Sequence, residues 1–508
     1  MKPSVLYLPS LTWCHNSLLP VVMRQCLAVS HFKVVDESKL WIGYWGRHLK
    51  SAQYRRIKPY QKVNHFPGAF HLGRKDRLWQ HLSEFMNEHT NNDYSIMPYT
   101  YVLPKDVKRL KAYLAFPAIR HVIVKPPASA RGTGIKIVSR FKQIPTKTPL
   151  VAQHYIENPF LINGSKFDLR VYVYVTCLEP LRIYVYDEGL VRFASVPYSS
   201  SLASYSNQYM HLTNYSINRF SQENGMADKP VEKWTLAEFW DHITRQGYDA
   251  NALKRDIHAV AAKAFIACEH HIRAHQKNYS DYPFVSHELF GMDVLVDSTL
   301  RPWLLEMNIS PSLQSSTPVD IDVKAQLACD VLNMCGIPFP IRHDDFEDSM
   351  NYRVKPHFRH SSVEHLRKEA EHMQFFEKNR KIHSDILSTL TDVDVRYLID
   401  FEDELSRRGK FTLVYPLGAE TEKYLENMCS PVYANLLLHA WQKFQAASAD
   451  RRRGIILLEH LCAENVHVAK PLSLSSDEQE DENSGNDDAE TEEDKEEDAV
   501  DIDSACAE

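Results

Sequence analysis

The sequence predicts an α+β protein that carries a C-terminal helical appendage and a disordered acidic tail. Residues 121–312 contain short apolar and alternating runs that are typical of strands and hairpins, with one helical block between them. Beyond residue 346, apolar side chains recur at helical spacing to about residue 462. After residue 475 the chain has almost no apolar content, which is typical of a disordered segment.

The charge of the chain is divided between a mildly basic body and an acidic tail. The 508 residues have a net charge of −7, yet residues 476–508 hold 17 acidic residues and one Lys. Residues 1–475 therefore carry 58 basic and 49 acidic residues, a net charge of +9. A dedicated nucleic-acid binder is much more basic than this, so we expect no specific nucleic-acid partner. The basic body is compatible with an acidic protein partner.

The hydropathy and cysteine patterns indicate a cytoplasmic protein with no membrane partner. A transmembrane helix needs about 18 or more successive apolar residues, and the best candidate, residues 18–29, is broken by Pro20, Arg24 and Gln25. The nine cysteines are scattered and form no CxxC pair, which favours free thiols over a disulfide framework or a zinc ribbon. We also expect a monomer.

The elements of the body follow in order along the chain. A helix is predicted to begin near residue 72 and to end at about residue 89. Period-two alternation over residues 166–175 places Lys166, Asp168 and Arg170 on one face of a strand. Asp187-Glu-Gly189 is predicted to form a hairpin turn. Further strands are predicted at residues 121–125, 135–138, 150–155, 181–186, 190–194, 284–296 and 300–308, and further helices at residues 234–242 and 253–276.

The segment 346–470 is predicted to be helical and partly basic. Ser361-Ser-Val-Glu364 resembles a capping box at the start of a helix. Between residues 353 and 381 the segment carries eight Lys and Arg residues against four Glu. Such a charge run is typical of a solvated helix face, and it would also attract an acidic partner through long-range electrostatics.

A glycine-containing loop, Lys125-Pro-Pro-Ala-Ser-Ala-Arg-Gly-Thr-Gly-Ile135, follows a predicted buried strand. It lacks the Lys-Ser/Thr pair of a Walker A motif and the spacing of GxGxxG. Its backbone N–H groups, with Lys125 at the base and Arg131 near the tip, could still cover a polyphosphate. The loop alone fits a flexible surface hairpin equally well.

Two acids and an amide lie on the last predicted strand pair, which is joined near residues 297–299. If Asp293 pairs with Glu306, then Asn308 points to the same face, and three oxygen ligands converge. That ligand set suits octahedral Mg²⁺ bound together with phosphates. The alternative is a solvated sheet face, but the surrounding apolar residues predict a buried sheet, where acids need a compensating cation.

Two histidine patterns are weaker candidates for chemistry. His271 and His275 are spaced four residues apart on a predicted helix, which is more typical of a solvated helix face than of a metal site. His287-Glu288 begins like the HExxH zinc motif, but position 291 is Gly, so the second His ligand is missing.

Six separated motifs together resemble the tubulin tyrosine ligase-like family. The sequence of the segments between the motifs is similar to that of its glutamylases. The motifs are Lys125 to Arg131-Gly132, Gln153-His-Tyr-Ile156, Lys166-Phe-Asp-Leu-Arg170, His211-Leu-Thr-Asn-Tyr-Ser216, His287-Glu-Leu-Phe-Gly-Met-Asp293 and Glu306-Met-Asn-Ile-Ser-Pro-Ser312. The resemblance implies an ATP-grasp fold, in which two lobes close on ATP and Mg²⁺. It implies a catalytic domain over residues 1–345, with an N-terminal lobe over about 30–110 and ATP-grasp lobes over about 111–345. Residues 346–470 would then be the extension and 471–508 the tail.

The resemblance also assigns roles to individual residues. Those implied to bind ATP are Lys125, Arg131, Gly132, Gln153, His154, Tyr155, Ile156, Lys166, Phe167, Asp168, Thr213 and Asn214. Those implied to hold Mg²⁺, as two ions, are Asp293, Glu306 and Asn308, and those implied to be catalytic are Arg131 and Glu306. Those implied to face the incoming amino acid are Arg192, Ser216, Lys233 and Lys324.

The function that the resemblance implies is ATP-dependent ligation of free L-glutamate to Glu side chains of tubulin C-terminal tails, through an acyl-phosphate intermediate. Other acidic proteins are further candidate substrates. Three cations suit a donor with two carboxylates better than glycine or tyrosine. The alternatives are a glycine or tyrosine ligase of the same fold and a catalytically dead microtubule-binding scaffold. The expected location is the cytoplasm and cytoskeleton, including the cilium or basal body.

Overall fold

The computed structural model describes most of the chain up to residue 468. The described residues are 11–37, 40–89, 92–116, 119–128, 132–201, 204–214, 217, 233–280, 282–315, 317–337, 361–447 and 452–468. Several predicted features lie outside these ranges: the acidic tail, the basic residues Arg353, Lys355 and Arg359, and the site residues Arg131 and Ser216.

The described residues form strands and helices in roughly alternating blocks. The strands are β1 (Thr12–Cys14), β2 (Lys33–Val35), β3 (Gly43–Tyr44), β4 (Lys62–Val63), β5 (Thr100–Leu103), β6 (Val122–Lys125), β7 (Lys136–Val138), β8 (Leu150–His154), β9 (Leu161–Ile162), β10 (Ser165–Leu178), β11 (Leu181–Phe193), β12 (Lys233–Thr235), β13 (Glu288–Val296), β14 (Pro302–Asn308) and β15 (Phe411–Tyr415). The predicted α+β class is confirmed.

Helices surround these strands on several sides. They are α1 (Val21–Val29), α2 (Ser51–Tyr54), α3 (Phe70–Gly73), α4 (Lys75–His89), α5 (Val107–Leu114), α6 (Gln208–His211), α7 (Leu236–Arg245), α8 (Ala250–Tyr279), α9 (Pro318–Met334), α10 (Val363–Asn379), α11 (Asp392–Ser406), α12 (Glu422–Asn427), α13 (Tyr433–Ala446) and α14 (Arg452–Ala463). None of the helices in the described ranges is both long and apolar enough to cross a membrane.

Three sheets organise the described part of the chain. A parallel sheet near the N-terminus has the order β2-β1-β3-β4, and an antiparallel sheet has the order β5-β8-β6-β7. The largest sheet has the order β12-β11-β10-β13-β14, with β15 paired to β11 and β9 paired to β10. Its long hairpin β10–β11 lies at the centre of the main hydrophobic core.

The predicted hairpin turn at residues 187–189 is wrong, because β11 continues from Leu181 to Phe193, with an irregular pairing to β10 between Val185 and Gly189. Gly189 pairs with Val171 of β10. A Cβ atom added at Gly189 would lie 2.4 Å from the carbonyl oxygen of Arg170. The glycine therefore permits a close approach between two strands rather than a reversal of the chain.

The described part of the C-terminal segment, residues 361–447 and 452–468, consists mainly of helices α10 to α14 and packs against the largest sheet. Its strand β15 pairs antiparallel with the first half of β11, from Ile183 to Tyr186. The edge of β11 is thus shared, since β12 covers only Leu190–Arg192. A long edge strand needs a partner, and the C-terminal segment supplies one. Phe401 and Trp441 belong to the same core as the β10–β11 hairpin.

Candidate active site

A cleft lies between the antiparallel sheet β5-β8-β6-β7 and the open face of the largest sheet. It encloses about 680 Å³, including space open to solvent. Most of the residues that the sequence assigns to ATP, metal or substrate line it: Lys125, Gln153, His154, Tyr155, Ile156, Lys166, Phe167, Asp168, Arg192, Thr213, Asn214, Asp293 and Glu306. Apolar side chains that the sequence analysis did not single out complete the walls: Pro98, Ile123, Ile135, Leu295 and Leu305.

One face of the largest sheet carries a row of charged side chains across five strands, which we call the charged row. The cross-strand pairs are Lys233 with Arg192, Arg192 with Asp168, Arg170 with Asp293, and Asp293 with Glu306. Residues directly opposite on neighbouring strands share a face, so these side chains come together. Asp293 lies opposite Glu306, beside a register shift between Asp293 and Val294.

Asp293 is held between two arginines. Arg170 donates to its two carboxylate oxygens at 2.6 and 3.2 Å, and Nη2 of Arg192 lies 2.7 Å from Oδ2. Burial alone would raise the pKa of Asp293, but Arg170 and Arg192 lower it well below its ordinary value. Arg192 also donates two hydrogen bonds to Asp168, at 2.6 and 2.7 Å, so it bridges both carboxylates.

Two buried lysines face the cleft from opposite sheets. Nζ of Lys125 on β6 donates to Gln153 at 2.9 Å, and Nζ of Lys166 on β10 donates to the Tyr155 hydroxyl at 3.0 Å. Burial lowers the pKa of Lys125 to about 8 and that of Lys166 to about 7. Their hydrogen-bond acceptors are neutral, so a bound anion would stabilise the charged form of both amines.

A chain of hydrogen bonds orients Tyr155 beside Lys166. The Tyr155 hydroxyl lies 2.8 Å from Nδ1 of His211, whose Nε2 lies 3.1 Å from the carbonyl of Ser204. Burial and the nearby Lys166 lower the pKa of His211 to about 4, so the ring is neutral at pH 7. Nε2 must then carry the proton that it donates to Ser204, and Nδ1 accepts from Tyr155. Sequence analysis marked His211 only as part of a motif.

Lys75, which sequence analysis missed, contacts a residue that lines the cleft. Its ammonium lies 2.9 Å from Oε2 of Glu306, and its backbone N–H donates to the carbonyl of Pro127 at 3.1 Å. Lys75 begins α4 and therefore connects the loop after Lys125 to the acid on β14. A lysine in a predicted helix gave no sign of this contact, because it depends on the packing of α4 against the sheet.

The proposed metal ligands fit a hard divalent cation in composition and placement. Asp293 and Glu306 pair across the strands and both line the cleft. Asn308 pairs with Gly291 and donates its amide to that carbonyl at 3.0 Å, which leaves its side-chain oxygen to act as a ligand. Carboxylate and amide oxygens are ligands that Mg²⁺ prefers. The negative charge of these carboxylates is balanced by the positive charge of Arg170, Arg192 and Lys75. A bound metal ion would neutralise the same carboxylates.

The lysines assigned to the amino acid share one acidic partner. Nζ of Lys233 lies 2.6 Å from Oδ2 of Asp320, and Nζ of Lys324 lies 3.5 Å from Oδ1. Lys324 also donates to the carbonyl of Gln314. Burial, the main cause, lowers the pKa of Lys324 to about 8. Asp320, on α9, is a further residue that the sequence analysis missed.

Gly132 of the glycine-containing loop lies next to Asn214, which lines the cleft. Gly132 has φ +76°, and an added Cβ would lie 2.9 Å from Oδ1 of Asn214 and 2.5 Å from Ile217. The close approach and the positive φ both require glycine. Gly132 therefore packs against one of the residues assigned to ATP. Arg131 and Ser216 lie outside the described residues.

Buried lysines and paired acids in one cleft of an α+β fold would suit a polyphosphate bound with a divalent cation. The chain belongs to the tubulin-tyrosine ligase family, whose family model matches residues 53–345.

Curated relatives match the chain over most of its length. The tubulin polyglutamylase ttll-4 of Caenorhabditis elegans is 53% identical over 462 residues, covering 91% of this chain and 76% of the relative. The human tubulin monoglutamylase TTLL4 is 38% identical over 477 residues, covering 90% of this chain and 39% of the relative. The mouse tubulin polyglutamylase TTLL5 is 33% identical over 470 residues, covering 88% of this chain and 34% of the relative. These similarities extend beyond the residues that the family model matches.

Proposed function

We propose that this chain is an ATP-dependent ligase that joins free L-glutamate to Glu side chains of tubulin C-terminal tails. The observation that carries the proposal is the cleft in which the paired acids of the charged row, Asp293 and Glu306, lie together with the buried Lys125 and Lys166. The names of its relatives, which describe tubulin glutamylases, support the choice of acceptor and donor. The opposed sheets around the cleft support the ATP-grasp fold.

The first step would be phosphorylation of the acceptor. A carboxylate oxygen of the tubulin Glu attacks the γ-phosphorus of ATP, ADP leaves, and an acyl-phosphate forms. In this step Lys125 and Lys166 neutralise phosphate oxygens from the two walls of the cleft. Asp293, Glu306 and Asn308 would hold Mg²⁺, which supplies charge neutralisation to the transferring phosphoryl group. Arg131 would stabilise the acyl-phosphate by its charge.

The second step would be amide formation. The α-amine of free glutamate attacks the acyl carbon, inorganic phosphate leaves, and the amine loses a proton. Arg192 and Lys233 lie opposite each other on β11 and β12, and Lys324 shares Asp320 with Lys233. We infer that the carboxylates of the donor displace some of the acidic partners of these cations. A donor with two carboxylates satisfies three cations better than glycine or tyrosine does. Ser216 is the further hydroxyl assigned to this site.

Approach of the acidic acceptor would depend on cations outside the cleft, and not every basic residue of α10 is available for this. Nζ of Lys368 is 2.7 Å from Asp394 and also donates to two backbone carbonyls, so it stabilises the packing of α10. Arg367, 74% exposed in its side chain, remains accessible. A role for this helix in attracting tubulin tails stays a proposal, as do the cytoskeletal or ciliary location and the monomeric state.

The test is incorporation of labelled amino acids into tubulin by the full-length chain. Purified protein is incubated with ATP, Mg²⁺ and tubulin, and with labelled glutamate, glycine or tyrosine in separate reactions. We expect incorporation of glutamate alone, with mass spectrometry placing it on Glu side chains of the tails. Incorporation of glycine or tyrosine instead would keep the ligase chemistry and overturn the donor. Microtubule binding without any ATP turnover would favour the scaffold.

A further inference from the structure

Four histidines gather outside the cleft, where three helices meet. His71 lies on α3, His81 on α4, and His271 and His275 on α8. The rings of His81 and His271 stack with their centroids 4.0 Å apart, and those of His71 and His271 stack at 5.2 Å. The His275 ring lies 5.0 Å from that of His71. The predicted solvated face for His271 and His275 is therefore wrong, because α8 packs this face against α3 and α4.

The ring nitrogens of three of these histidines converge. Nδ1 of His71 is 2.9 Å from Nε2 of His81, and one nitrogen of each of His71, His81 and His271 lies within 4.8 Å of the others. Ligand nitrogens around a tetrahedral Zn²⁺, at bond lengths of about 2.0–2.1 Å, are roughly 3.3 Å apart. A small movement of the rings would therefore bring the three nitrogens to binding distance.

His71 and His81 each use one ring nitrogen in a hydrogen bond with the other ring. Within the described part of the chain, their second nitrogens, Nε2 of His71 and Nδ1 of His81, are buried without a hydrogen-bond partner. An ion bound at the converging nitrogens would take the place of the hydrogen bond between the two rings. Burial lowers the pKa of His71 to about 2 and that of His81 to about 3. Both rings are therefore neutral at pH 7, which is the form that binds a metal.

A second histidine group contains a carboxylate in place of the third imidazole. His48, His65 and Glu288 also lie within binding distance of one another. Here Nδ1 of His65 is 2.7 Å from Glu288, and its Nε2 is 2.9 Å from the carbonyl of Gly46. Both nitrogens of His65 are therefore in use, whereas Nε2 of His48 is buried without a hydrogen-bond partner among the described residues. The group around His71 differs in that all three converging side chains are imidazoles.

We propose that His71, His81 and His271 form a binding site for a borderline transition-metal ion, with Zn²⁺ as the best match. Imidazole ligands suit Zn²⁺, whereas the oxygen ligands of the cleft suit Mg²⁺, so the two sites select different ions. His275 is the nearest further imidazole. The carboxylate of Glu84 lies 4.0 Å from Nδ1 of His81 and can orient that ring.

An ion at this site would connect three helices, one of which carries Lys75. It would tie α3 and α4 to α8, and α4 begins with Lys75, whose ammonium contacts Glu306. A link six residues after Lys75 on the same helix limits how far α4 can move relative to the sheet. We therefore expect Zn²⁺ to raise the thermal unfolding temperature of the chain.

The test measures metal binding directly, with the metal alone and the full-length chain. The protein is stripped with a chelator, kept in excess Mg²⁺, and titrated with Zn²⁺, and in parallel with Co²⁺ as a visible probe. We expect one bound Zn²⁺ per chain and the strong visible absorption of tetrahedral Co²⁺. The variants His81→Asn and His271→Asn should lose at least about ten-fold in affinity.

Two control variants separate this site from others. His372→Asn alters the exposed group of His372, His383 and Asp385, and Glu306→Gln alters the cleft. Both should keep the Zn²⁺ affinity and the Co²⁺ absorption. Equal Zn²⁺ binding by His81→Asn and the unaltered chain would overturn the proposal, as would a Co²⁺ spectrum without tetrahedral bands. The readout requires no ligase activity, so it stands apart from failure of the proposed function.

Discussion

The β10–β11 hairpin carries two buried clusters of charge, one at the cleft and one against the C-terminal segment. At the cleft, Arg170 and Arg192 hold Asp293 and Asp168. At the other, which we call the Arg182 cluster, the guanidinium of Arg182 lies 2.7 Å from Asp400 and 3.3 Å from Glu404. Both clusters consist of arginines and carboxylates, yet their surroundings differ.

The difference lies in how completely the charges are compensated. Glu404 also accepts hydrogen bonds from Thr176 at 2.8 Å and Tyr184 at 2.6 Å, so it is fully engaged. Burial opposes the charge on Arg182, but Glu404 and Asp400 raise its pKa well above its ordinary value. Beside the cluster at the cleft, burial lowers the pKa values of Lys125 and Lys166, and both amines face an open cleft.

This comparison shows that a buried ion pair does not by itself mark a functional site. The Arg182 cluster joins β15 and α11 to the sheet and has the chemistry of a structural contact. The cleft contains similar ion pairs together with Lys125 and Lys166, whose positive charge is only partly compensated. A site of this kind is suited to binding an anion. The predictions below alter one cluster at a time.

The largest effect on stability should follow Glu404→Gln. Removing one carboxylate of a buried ion pair is costly because the partner charge stays buried, and we expect a loss of about 3–5 kcal/mol in the free energy of unfolding. Urea unfolding would measure it. Asp403→Asn, which alters an acid 60% exposed in its side chain and paired with Arg407, is the control, with at most about 0.5 kcal/mol expected. Glutamate incorporation per folded molecule should be unchanged in both variants.

The largest effect on activity should follow Glu306→Gln. A neutral amide cannot match the charge of the carboxylate toward a metal ion or a transferring phosphoryl group. We expect glutamate incorporation to fall by about 10²–10³-fold, while the urea midpoint changes little. Glu84→Gln, an acid that is 65% exposed on α4, is the control and should keep full incorporation. If Glu306→Gln instead unfolded the protein and Glu404→Gln abolished incorporation, the distinction between the clusters would be reversed.

A smaller effect, confined to the donor, should follow Lys324→Met. A charge-assisted hydrogen bond contributes about 1.5–3 kcal/mol, so loss of one should raise the KM for glutamate by at least about ten-fold. The KM for ATP should stay the same, because Lys324 contacts Asp320 and Gln314 rather than the walls of the cleft. Lys254→Met, which alters a half-buried lysine paired with Asp187, is the control. An equal rise in both KM values would place Lys324 outside the donor site.

Local sequence patterns predicted the parts of the site that lie along single strands. The alternation of Lys166, Asp168 and Arg170 predicted their common face, which follows from the period of two in a strand. Turn length alone does not determine the register of Asp293 with Glu306, because the pairing shifts between Asp293 and Val294. The roles of these residues rest on the resemblance to the family, because pairing alone does not name a substrate.

Contacts between distant segments escaped prediction for a physical reason. The pairing of β15 with β11 joins residues more than two hundred positions apart, and nothing local to Phe411–Tyr415 specifies its partner. His81 and His271 are also far apart in the sequence, and nothing local to either residue predicts their contact. Gly189 was misjudged because glycine serves both turns and close strand approaches, and only the neighbouring strand distinguishes them.

The smallest effect should follow Lys75→Met, and its sign is informative. The ammonium of Lys75 lies 2.9 Å from Glu306, so a cation that binds this carboxylate must compete with it. Removing a partly buried pair of this kind changes affinity by roughly 1 kcal/mol, and the Mg²⁺ concentration for half-maximal incorporation should therefore fall by a few-fold. Lys75→Arg keeps the charge and should keep the Mg²⁺ requirement. If Lys75→Met raised the requirement or lowered the rate at saturating Mg²⁺, Lys75 would contact the phosphates themselves, and the uncompensated charge of the cleft would extend to a third lysine.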